Sequence, residues 1–260
     1  MHPVIDCVLP KFLEPGFEPS SESKLIRLGK KWDGGYLVDQ RSVLKASRLV
    51  SFGLNNDWSF ESAFMKQHSV PVAIFDHSVS KRIYLRNFIY HSLLDFSPVQ
   101  AYRNLSAFFR YPFFFKGQCQ HLREHVGYSS VPRMVDFKKA LQLAGHQEAE
   151  PIFLKIDTEQ WEYTILEDLI KAAPFITGLV IEFHRVDLHI SVIKDFIDRF
   201  PVPLIYTRAN NYGHVNPAKQ PLLIECTFSA FGVPRQQPFQ AAAIDMQNAR
   251  KLPPYKLSFA

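Results

Sequence analysis

The sequence has few cysteines and no long apolar run. Its three cysteines, Cys7, Cys119 and Cys226, are odd in number, widely spaced and without a metal-binding pattern. We expect them to be buried thiols in a reducing compartment rather than disulfides. No basic and apolar leader is recognisable, and no apolar run reaches the roughly 18 residues that span a bilayer. The sequence therefore predicts a cytoplasmic protein without a transmembrane segment.

Composition and charge limit the class of protein and the kind of partner. The apolar share of 47% and the charged share of 21% are typical of a globular protein, which excludes general disorder. The net charge of +5 suits a polyanionic partner, but a surplus of this size over 260 residues is weak support for nucleic-acid binding. We expect one domain at 24–235, preceded by an extended lead-in at 1–23 and followed by a surface tail at 236–260. The oligomeric state stays open.

A central stretch changes from strand to helix periodicity. Residues 152–156 form a short apolar run with the length and branched content of a buried strand. Helical spacing begins at Thr158, a predicted N-cap, with Glu159 and Glu162 in the positive first turn. The strand thus delivers Asp157 to its carboxyl edge, where open α/β sheets bind ligands. Asp157 and Glu159 are candidates for chemistry, although acids at this position are also ordinary helix caps.

An earlier segment has the outline of a nucleoside-binding βαβ unit. Gly53 removes a side chain where a ligand would touch the backbone and face helix N–H groups. Asp76, at the end of the second strand, can accept hydrogen bonds from ribose hydroxyls. Only one glycine is present, which disfavours a cofactor that carries a pyrophosphate. The predicted elements are a strand at 49–52, a turn at 53–57, a helix at 58–67 and a strand at 70–75.

Two segments allow two interpretations each. The paired glycines Gly34 and Gly35 favour a hairpin turn between two hydrophobic runs, and the alternative is a loop that faces a ligand. An insertion at about 81–135 begins with a predicted helix and contains an aromatic cluster at 105–115. This cluster either packs a small core of its own or forms a lid or platform for an acceptor molecule.

The last part of the chain predicts more strands and further polar candidates. A buried strand at 176–183 carries Glu182 and delivers His184, and a helix at 188–200 follows. Two last strands, at 204–206 and 222–227, are joined by a loop that contains Asn210 and Asn211. These asparagines are either turn formers or hydrogen-bond donors to an acceptor molecule.

Together these motifs resemble the FkbM-type methyltransferases, a Rossmann-like class that uses S-adenosylmethionine. Two features depart from the family pattern: Gln160 stands where the family usually has glycine, and the aromatic insertion has no clear counterpart. The matching pieces are Asp33-Gly34-Gly35-Tyr36, 51–61, 73–76, 154–159, 181–184 and Asn210-Asn211.

The resemblance implies a Rossmann-like α/β sheet of seven strands with the last strand antiparallel and with an aromatic-rich helical insertion. It implies that S-adenosylmethionine binds over the carboxyl ends of the first two strands. Gly53 and Asn55 would lie near the methionine end, Asp76 would hold the ribose and Asp157 would lie beside the reactive methyl. Gly34 and Gly35, if their loop faces the ligand, would complete the cofactor set. Members of the family mostly methylate hydroxyl groups, often on sugars of glycans or glycosylated metabolites.

A sugar hydroxyl is a poor nucleophile at neutral pH, so a base that removes its proton is worth roughly 10²–10⁴ in rate. His184 is the first candidate for this base, because its ordinary pKa is near neutrality. Asp157 would orient it or the acceptor, and Glu182, on the same strand face, could pair with it. Alternatively, Asp157, Glu159 and Glu182 hold Mg²⁺ that lowers the pKa of the hydroxyl, or His184 is only a satisfied histidine at a strand end.

Three functions stay open at this point. The first is an O-methyltransferase that acts on a saccharide or metabolite hydroxyl. The second is a nucleoside-binding scaffold that has kept the fold without catalysis, and the third is an RNA-directed methyltransferase. Lysines and arginines clustered in a stripe across the cofactor mouth would favour RNA, whereas scattered charges would not.

Overall fold

A sheet of seven strands forms the centre of the protein. The structure is a computed structural model that describes residues 3–127 and 134–260. From one edge to the other, the sheet strands are β7 (Cys119–Leu122), β6 (Val72–Phe75), β5 (Arg48–Phe52), β10 (Ile152–Ile156), β11 (Ile176–His184), β13 (Leu223–Ser229) and β12 (Leu204–Ala209). The remaining strands form two-stranded ribbons: β1 (Ile5–Leu9), β2 (Phe17–Pro19), β3 (Leu25–Gly29), β4 (Gly35–Asp39), β8 (His125–Val126), β9 (Met134–Val135), β14 (Gly232–Pro234) and β15 (Tyr255–Phe259).

Strand direction follows from how the strands are connected. β5, β6, β7, β10 and β11 run parallel, and each parallel neighbour is reached through a crossover connection. β13 lies antiparallel between β11 and β12, since a loop without a crossover helix joins it to β12. The predicted Rossmann-like α/β class, with seven strands and the last one antiparallel, is therefore confirmed.

Helices cover both faces of the sheet. Along β5 and β10, Leu49 and Phe153 pack into one apolar core, while Val50 and Leu154 pack into the other, because successive side chains point to opposite faces. No helix within the two described ranges is long and apolar enough to cross a membrane. The helices are α1 (Gln40–Leu44), α2 (Ser59–Gln67), α3 (Lys81–Leu93), α4 (Pro98–Phe114), α5 (Phe137–Leu143), α6 (Leu166–Ala172) and α7 (Val186–Arg199).

The predicted start of a helix at Thr158 is wrong. A 3-10 helix at Trp161–Thr164 follows β10 instead, and α6 begins only after it. The reason is local: Glu159 and Gln160 have positive φ angles of 53° and 82°, which no right-handed helix accommodates. Glycine would adopt the left-handed conformation of Gln160 without steric cost, so position 160 has a backbone conformation that is uncommon for glutamine.

Both ends of the chain pack against the domain. β1 pairs with β15 in parallel, so the extended lead-in and the C-terminal segment hold each other in place. Leu9 and Leu13 of the lead-in are fully buried, and Ala249 of the C-terminal segment is 4% exposed. The C-terminal segment thus supplies a strand and polar partners that the sequence pattern does not reveal.

The first part of the predicted insertion forms a pair of helices, α3 and α4, and its later part supplies β7 at the edge of the central sheet. The aromatic cluster lies in the second half of α4 and the residue that follows it. Its inner side chains pack on Trp58, at the start of α2, where Phe114 stacks on the indole with ring centroids 5.7 Å apart. Tyr84 of α3 and Phe115 also contact Trp58. Residues 128–133 of the predicted insertion lie outside the described residues.

A buried charge network ties the C-terminal segment to the sheet edge. Arg208 on β12 is 5% exposed, and its Nε lies 3.2 Å from Oε2 of Glu225 on β13. Its Nη1 donates to Asp245 Oδ1 at 3.0 Å, and Asp245 also accepts the Tyr206 hydroxyl at 2.9 Å. One buried guanidinium therefore balances two carboxylates, of which Glu225 is 3% exposed.

We predict that Arg208→Met lowers the free energy of unfolding by about 3–5 kcal/mol at neutral pH, because it leaves a buried carboxylate without its cation. Urea denaturation measures this loss. Burial raises the pKa of Glu225, and Arg208 opposes that rise. Without Arg208, the Glu225 carboxyl becomes protonated, and thus neutral, at a higher pH. The loss in the free energy of unfolding should therefore shrink as the pH falls. Arg199→Met, which removes an exposed pair with Glu167, should cost about 1 kcal/mol or less. Equal losses in both variants would contradict the assignment.

Candidate active site

A cavity of about 470 Å³ opens at the carboxyl ends of the parallel strands. Asp76, which follows β6, and Asp157, which follows β10, both line it. The two acids thus share one cavity, which is the arrangement that the sequence predicts. Loop residues around these acids also line it: the β3–β4 loop (Asp33 and Gly34), the turn after β5 (53–57), the start of β8, and Thr158, Glu159 and Trp161.

Asp76 organises the turn after β5. Its Oδ2 accepts the backbone N–H groups of Leu54 and Asn55, each at 2.9 Å. Its Oδ1 accepts the N–H and the hydroxyl of Ser78 at 2.8 and 2.6 Å. Burial acts to raise the pKa of Asp76, but these hydrogen bonds outweigh it and hold that pKa below its ordinary value. The carboxylate is therefore charged at neutral pH and fixed at the cavity wall.

Two glycines bring backbone close to the cavity. Gly53 has φ +91°, and a Cβ there would lie 1.8 Å from the carbonyl oxygen of Asp157, so a side chain would force the two strand ends apart. Gly34 has φ +78° and also lines the cavity. Gly35 does not: it begins β4 opposite Gly29, where a Cβ would meet the Lys30 carbonyl at 2.1 Å. The predicted hairpin is confirmed, and the first glycine of the pair also faces the cavity.

Three buried side chains that sequence reasoning missed, Tyr36, Lys155 and Glu61, form the floor of the cavity. Tyr36 donates its hydroxyl to Asp157 Oδ2 at 2.8 Å. Lys155 donates to the Gly53 carbonyl at 3.0 Å and lies 3.8 Å from the same Asp157 oxygen. Burial acts to lower the pKa of Lys155, but Asp157 and Glu61 outweigh it, so the ammonium stays charged. A buried lysine inside an apolar strand is the signal that could have revealed this floor.

Glu61 has one oxygen satisfied and one free. Ser51 donates to Oε1 at 2.6 Å, whereas Oε2 is buried without a hydrogen-bond partner among residues 3–127 and 134–260. Burial raises the pKa of Glu61 above its ordinary value, although Lys155 and Ser51 act to lower it. Because an unpaired buried acceptor is costly, Oε2 is a binding position for a donor that enters the cavity.

His184 lies directly behind the cavity and is held by Glu162, which the sequence reading assigned only to a helix start. Glu162 Oε1 accepts the backbone N–H of His184 at 2.8 Å and lies 3.0 Å from its Nδ1. The Thr158 hydroxyl donates to the other Glu162 oxygen at 3.1 Å. The opposite ring nitrogen, Nε2, lies 3.6 Å from Glu159 Oε2 and 3.9 Å from Asp157 Oδ1. Glu162, and not Asp157 or Glu182, is therefore the group that orients this imidazole.

The remaining predicted site residues are engaged elsewhere. Glu182 is 5% exposed and accepts the Asn210 side-chain amide at 2.8 Å. Asn211 donates to the carbonyls of Ala249 and Pro253 and accepts the Ala249 N–H, so it holds the C-terminal segment. Neither asparagine lines the cavity, and their contact with an acceptor molecule stays a prediction.

The magnesium alternative finds no support. Within the described parts of the chain, no group of three or more histidine, cysteine, aspartate or glutamate side chains has the geometry to hold a metal ion. Asp157 and Glu159 line the cavity, whereas Glu182 is not among the lining residues and accepts the Asn210 side-chain amide.

The cavity lining is strongly acidic. Among residues 3–127 and 134–260, it contains a single lysine, Lys155, against seven acidic side chains: Asp33, Asp57, Glu61, Asp76, Glu124, Asp157 and Glu159. Asp33 shows the crowding, because burial and then the charges of Asp157 and Asp57 raise its pKa. Such a lining attracts a cationic ligand and repels phosphate.

No protein-family model matches the sequence, and no curated protein matches it either. Several solved structures resemble the fold. The fibrillarin pre-rRNA processing protein of Methanococcus jannaschii has 10% identity over 80% of this chain and 83% of that one, with a TM-score of 0.38. A candidate sarcosine dimethylglycine methyltransferase from Galdieria sulphuraria has 8% identity over 74% and 81%, with a TM-score of 0.40. TYW2 of M. jannaschii, in complex with AdoMet, has 10% identity over 81% and 87%, with a TM-score of 0.35. Likenesses this weak identify neither an activity nor a substrate.

We predict that Glu162→Gln lowers the pKa of His184. Burial acts to lower this pKa, but the hydrogen bond and charge of Glu162 raise it above its ordinary value of 6.5. An NMR titration of the imidazole measures the change, and Glu159→Gln is the matched control because Glu159 is 86% exposed at its side chain and should matter less.

The raised pKa of His184 also makes the stability of the fold depend on pH. A raised folded pKa means that the contribution of His184 to stability is complete below about pH 6.5 and is lost as the pH rises through the folded pKa. Glu162→Gln should therefore destabilise the protein more at acidic than at alkaline pH. A midpoint of the imidazole titration that does not move in this variant would contradict the role of Glu162.

Proposed function

We propose that this protein is an S-adenosylmethionine-dependent methyltransferase that methylates a hydroxyl group. The single observation that carries the proposal is the cavity in which Asp76 and Asp157, at the ends of two parallel strands, face one space beside the glycine turn of β5. In open α/β sheets this edge binds nucleoside ligands, with an acid after the second strand at the ribose.

The residues present fit the cofactor chemically. S-adenosylmethionine supplies a methyl group on a positively charged sulfonium and also carries an ammonium group. Seven acidic side chains against one lysine, within the part of the chain that the structure describes, form a lining that is complementary to this charge. The free Oε2 of Glu61 is an acceptor for the ammonium, and the carboxylate of Asp76 is an acceptor for ribose hydroxyls that compete with Ser78.

The proposed chemistry needs a base. As the acceptor oxygen bonds to the methyl carbon and the carbon–sulfur bond breaks, the hydroxyl proton must leave. We assign the hydroxyl proton to Nε2 of His184, which lies 3.9 Å from Asp157 Oδ1 and 3.6 Å from Glu159 Oε2. Glu162 contacts the other ring nitrogen, Nδ1. His184 must be neutral to accept a proton. Because Glu162 raises its pKa, turnover should rise as the pH rises through that value.

We propose a sugar hydroxyl, on a glycan or a glycosylated metabolite, as the acceptor. This choice rests on the resemblance of the motifs to FkbM-type methyltransferases. It also explains why the site would need a base, because a sugar hydroxyl is a poor nucleophile at neutral pH. The acidic lining bears on the cofactor and not on RNA, whose phosphates would need a positive surface outside the cavity, so an RNA-directed enzyme is the second candidate. Calorimetry with S-adenosylmethionine, followed by turnover assays with saccharide acceptors, tests the proposal. Binding without turnover of any acceptor would indicate a scaffold instead.

We predict that Asp76→Asn weakens S-adenosylmethionine binding at least tenfold, about the 1.4 kcal/mol expected when charge-assisted hydrogen bonds are lost. Asparagine keeps one acceptor oxygen for the turn after β5, so the substitution tests the charge more than the turn. Calorimetry measures the affinity, and Asp198→Asn on the exposed face of α7 is the control. Unchanged affinity in the Asp76 variant would remove the ribose role.

We predict that His184→Ala abolishes turnover while the affinity for S-adenosylmethionine changes little, because His184 does not line the cavity itself. A methyl-transfer assay and calorimetry on the same preparation separate the two effects. His189→Ala, at a half-buried histidine of α7 that stacks on Tyr163, is the control. Turnover at the unmodified rate in the His184 variant would rule it out as the base.

A further inference from the structure

The pair of helices formed by α3 and α4, called here the helical hairpin, exposes large apolar side chains that the domain does not cover. Leu93, Leu94 and Phe96, where the two helices join, are 65%, 71% and 78% exposed, and Val99 and Tyr102 at the start of α4 are 60% and 72% exposed. These five residues are called the hairpin tip. Monomeric soluble proteins rarely leave such a contiguous apolar patch without a partner.

The exposed apolar surface continues from the tip along both helices. Leu85 and Ile89 precede Leu93 at a spacing of four residues, which places all three on one face of α3. On α4, Phe109 and Phe113 are 61% and 72% exposed and also four residues apart. The inner faces hold the hairpin on the domain through Tyr84, Trp58 and Phe114. The outer apolar face is therefore presented on a fixed support.

The charges on the hairpin have one dominant sign. Between residues 81 and 114 it carries five basic side chains, Lys81, Arg82, Arg86, Arg103 and Arg110, against one acid, Asp95. Asp95 lies 2.8 Å from the Nδ1 of His91 on the preceding turn. Arg82, Arg86 and Arg103 are exposed and form no ion pair with any residue that the structure describes. An exposed apolar tip beside unpaired cations is the composition of an interfacial membrane helix.

We propose that the helical hairpin docks on the surface of an anionic lipid bilayer, with its tip in the headgroup and acyl boundary and its arginines on the lipid charges. Leucine, phenylalanine and tyrosine side chains suit that depth, and basic residues near an anionic leaflet add favourable attraction. A docked hairpin keeps the cavity close to the bilayer. α3 begins shortly after Ser78 at the cavity edge, and its 13 residues extend for about 20 Å.

Charge distinguishes a bilayer from a second copy of this chain as the occupant. A two-fold symmetric contact through the tip would bring Arg103, which adjoins Tyr102 of the tip, near the same arginine of the copy, and the other basic side chains of both hairpins have the same sign. Like charges placed across an interface disfavour association, whereas an anionic lipid surface is complementary to the same set.

The test is co-sedimentation of the full chain with phosphatidylcholine vesicles that contain phosphatidylserine, and with phosphatidylcholine vesicles alone. We expect binding to the anionic vesicles, at least tenfold weaker binding to the neutral ones, and release at high salt. The triple variant Leu93→Glu, Leu94→Glu, Phe96→Glu should lose at least tenfold in vesicle affinity. Its control is Leu188→Glu with Val192→Glu, at exposed apolar positions of α7, which should bind as the unmodified protein does.

A second pair of variants tests the charges. Arg86→Ser with Arg103→Ser should weaken binding to anionic vesicles about tenfold, while Lys66→Ser with Lys138→Ser, which removes the same charge elsewhere, should not. Circular dichroism checks that each variant is folded. No vesicle binding by the unmodified protein, equal loss in the control variants, or a dimer in sedimentation velocity that the tip variant dissociates would overturn the proposal. None of these measurements depends on methyl transfer.

Discussion

The close approach of two strand ends, at Gly53 after β5 and Asp157 after β10, is the constraint on which the rest of the site depends. The Asp157 N–H donates to the Phe52 carbonyl at 2.9 Å, and Lys155 donates to the Gly53 carbonyl at 3.0 Å. A side chain at position 53 would occupy the space of the Asp157 carbonyl. Only this contact lets the turn after β5 and the acid after β10 border the same cavity.

A buried lysine offsets part of the negative charge of the cavity. Lys155, buried among Asp157, Glu61 and Glu182, offsets part of the repulsion between carboxylates that would otherwise destabilise the fold. Burial, and then the charge of Asp157, raises the pKa values of Glu182 and Tyr36 well above their ordinary values, which opposes further negative charge near Asp157. A cation that enters from the open side would offset the remaining repulsion, which makes cationic ligands the natural occupants.

The sequence predicted the sheet well because buried parallel strands are short apolar runs that end in polar residues, as at Asp76 and Asp157. It failed where the determinant is a contact between distant residues. The bond between Tyr36 and Asp157 joins positions 121 residues apart, and the pairing of β1 with β15 joins the two ends of the chain. The start of the helix after β10 failed for a local reason, since the left-handed backbone at Glu159 and Gln160 is uncommon for these residue types.

Glu162 shows how the failed helix start and the candidate chemistry are connected. With a regular helix from Thr158, Glu162 would lie in its first turn and face solvent or the helix N–H groups. The left-handed residues instead turn the chain so that Glu162 is fully buried against the backbone and ring of His184. The imidazole then has a carboxylate on each side: against the effect of burial, Glu162 and, to a smaller extent, Asp157 raise its pKa and so favour its charged form. A cation bound beside Asp157 would weaken that preference, so that the same residues that attract a positive donor would also free His184 to accept a proton.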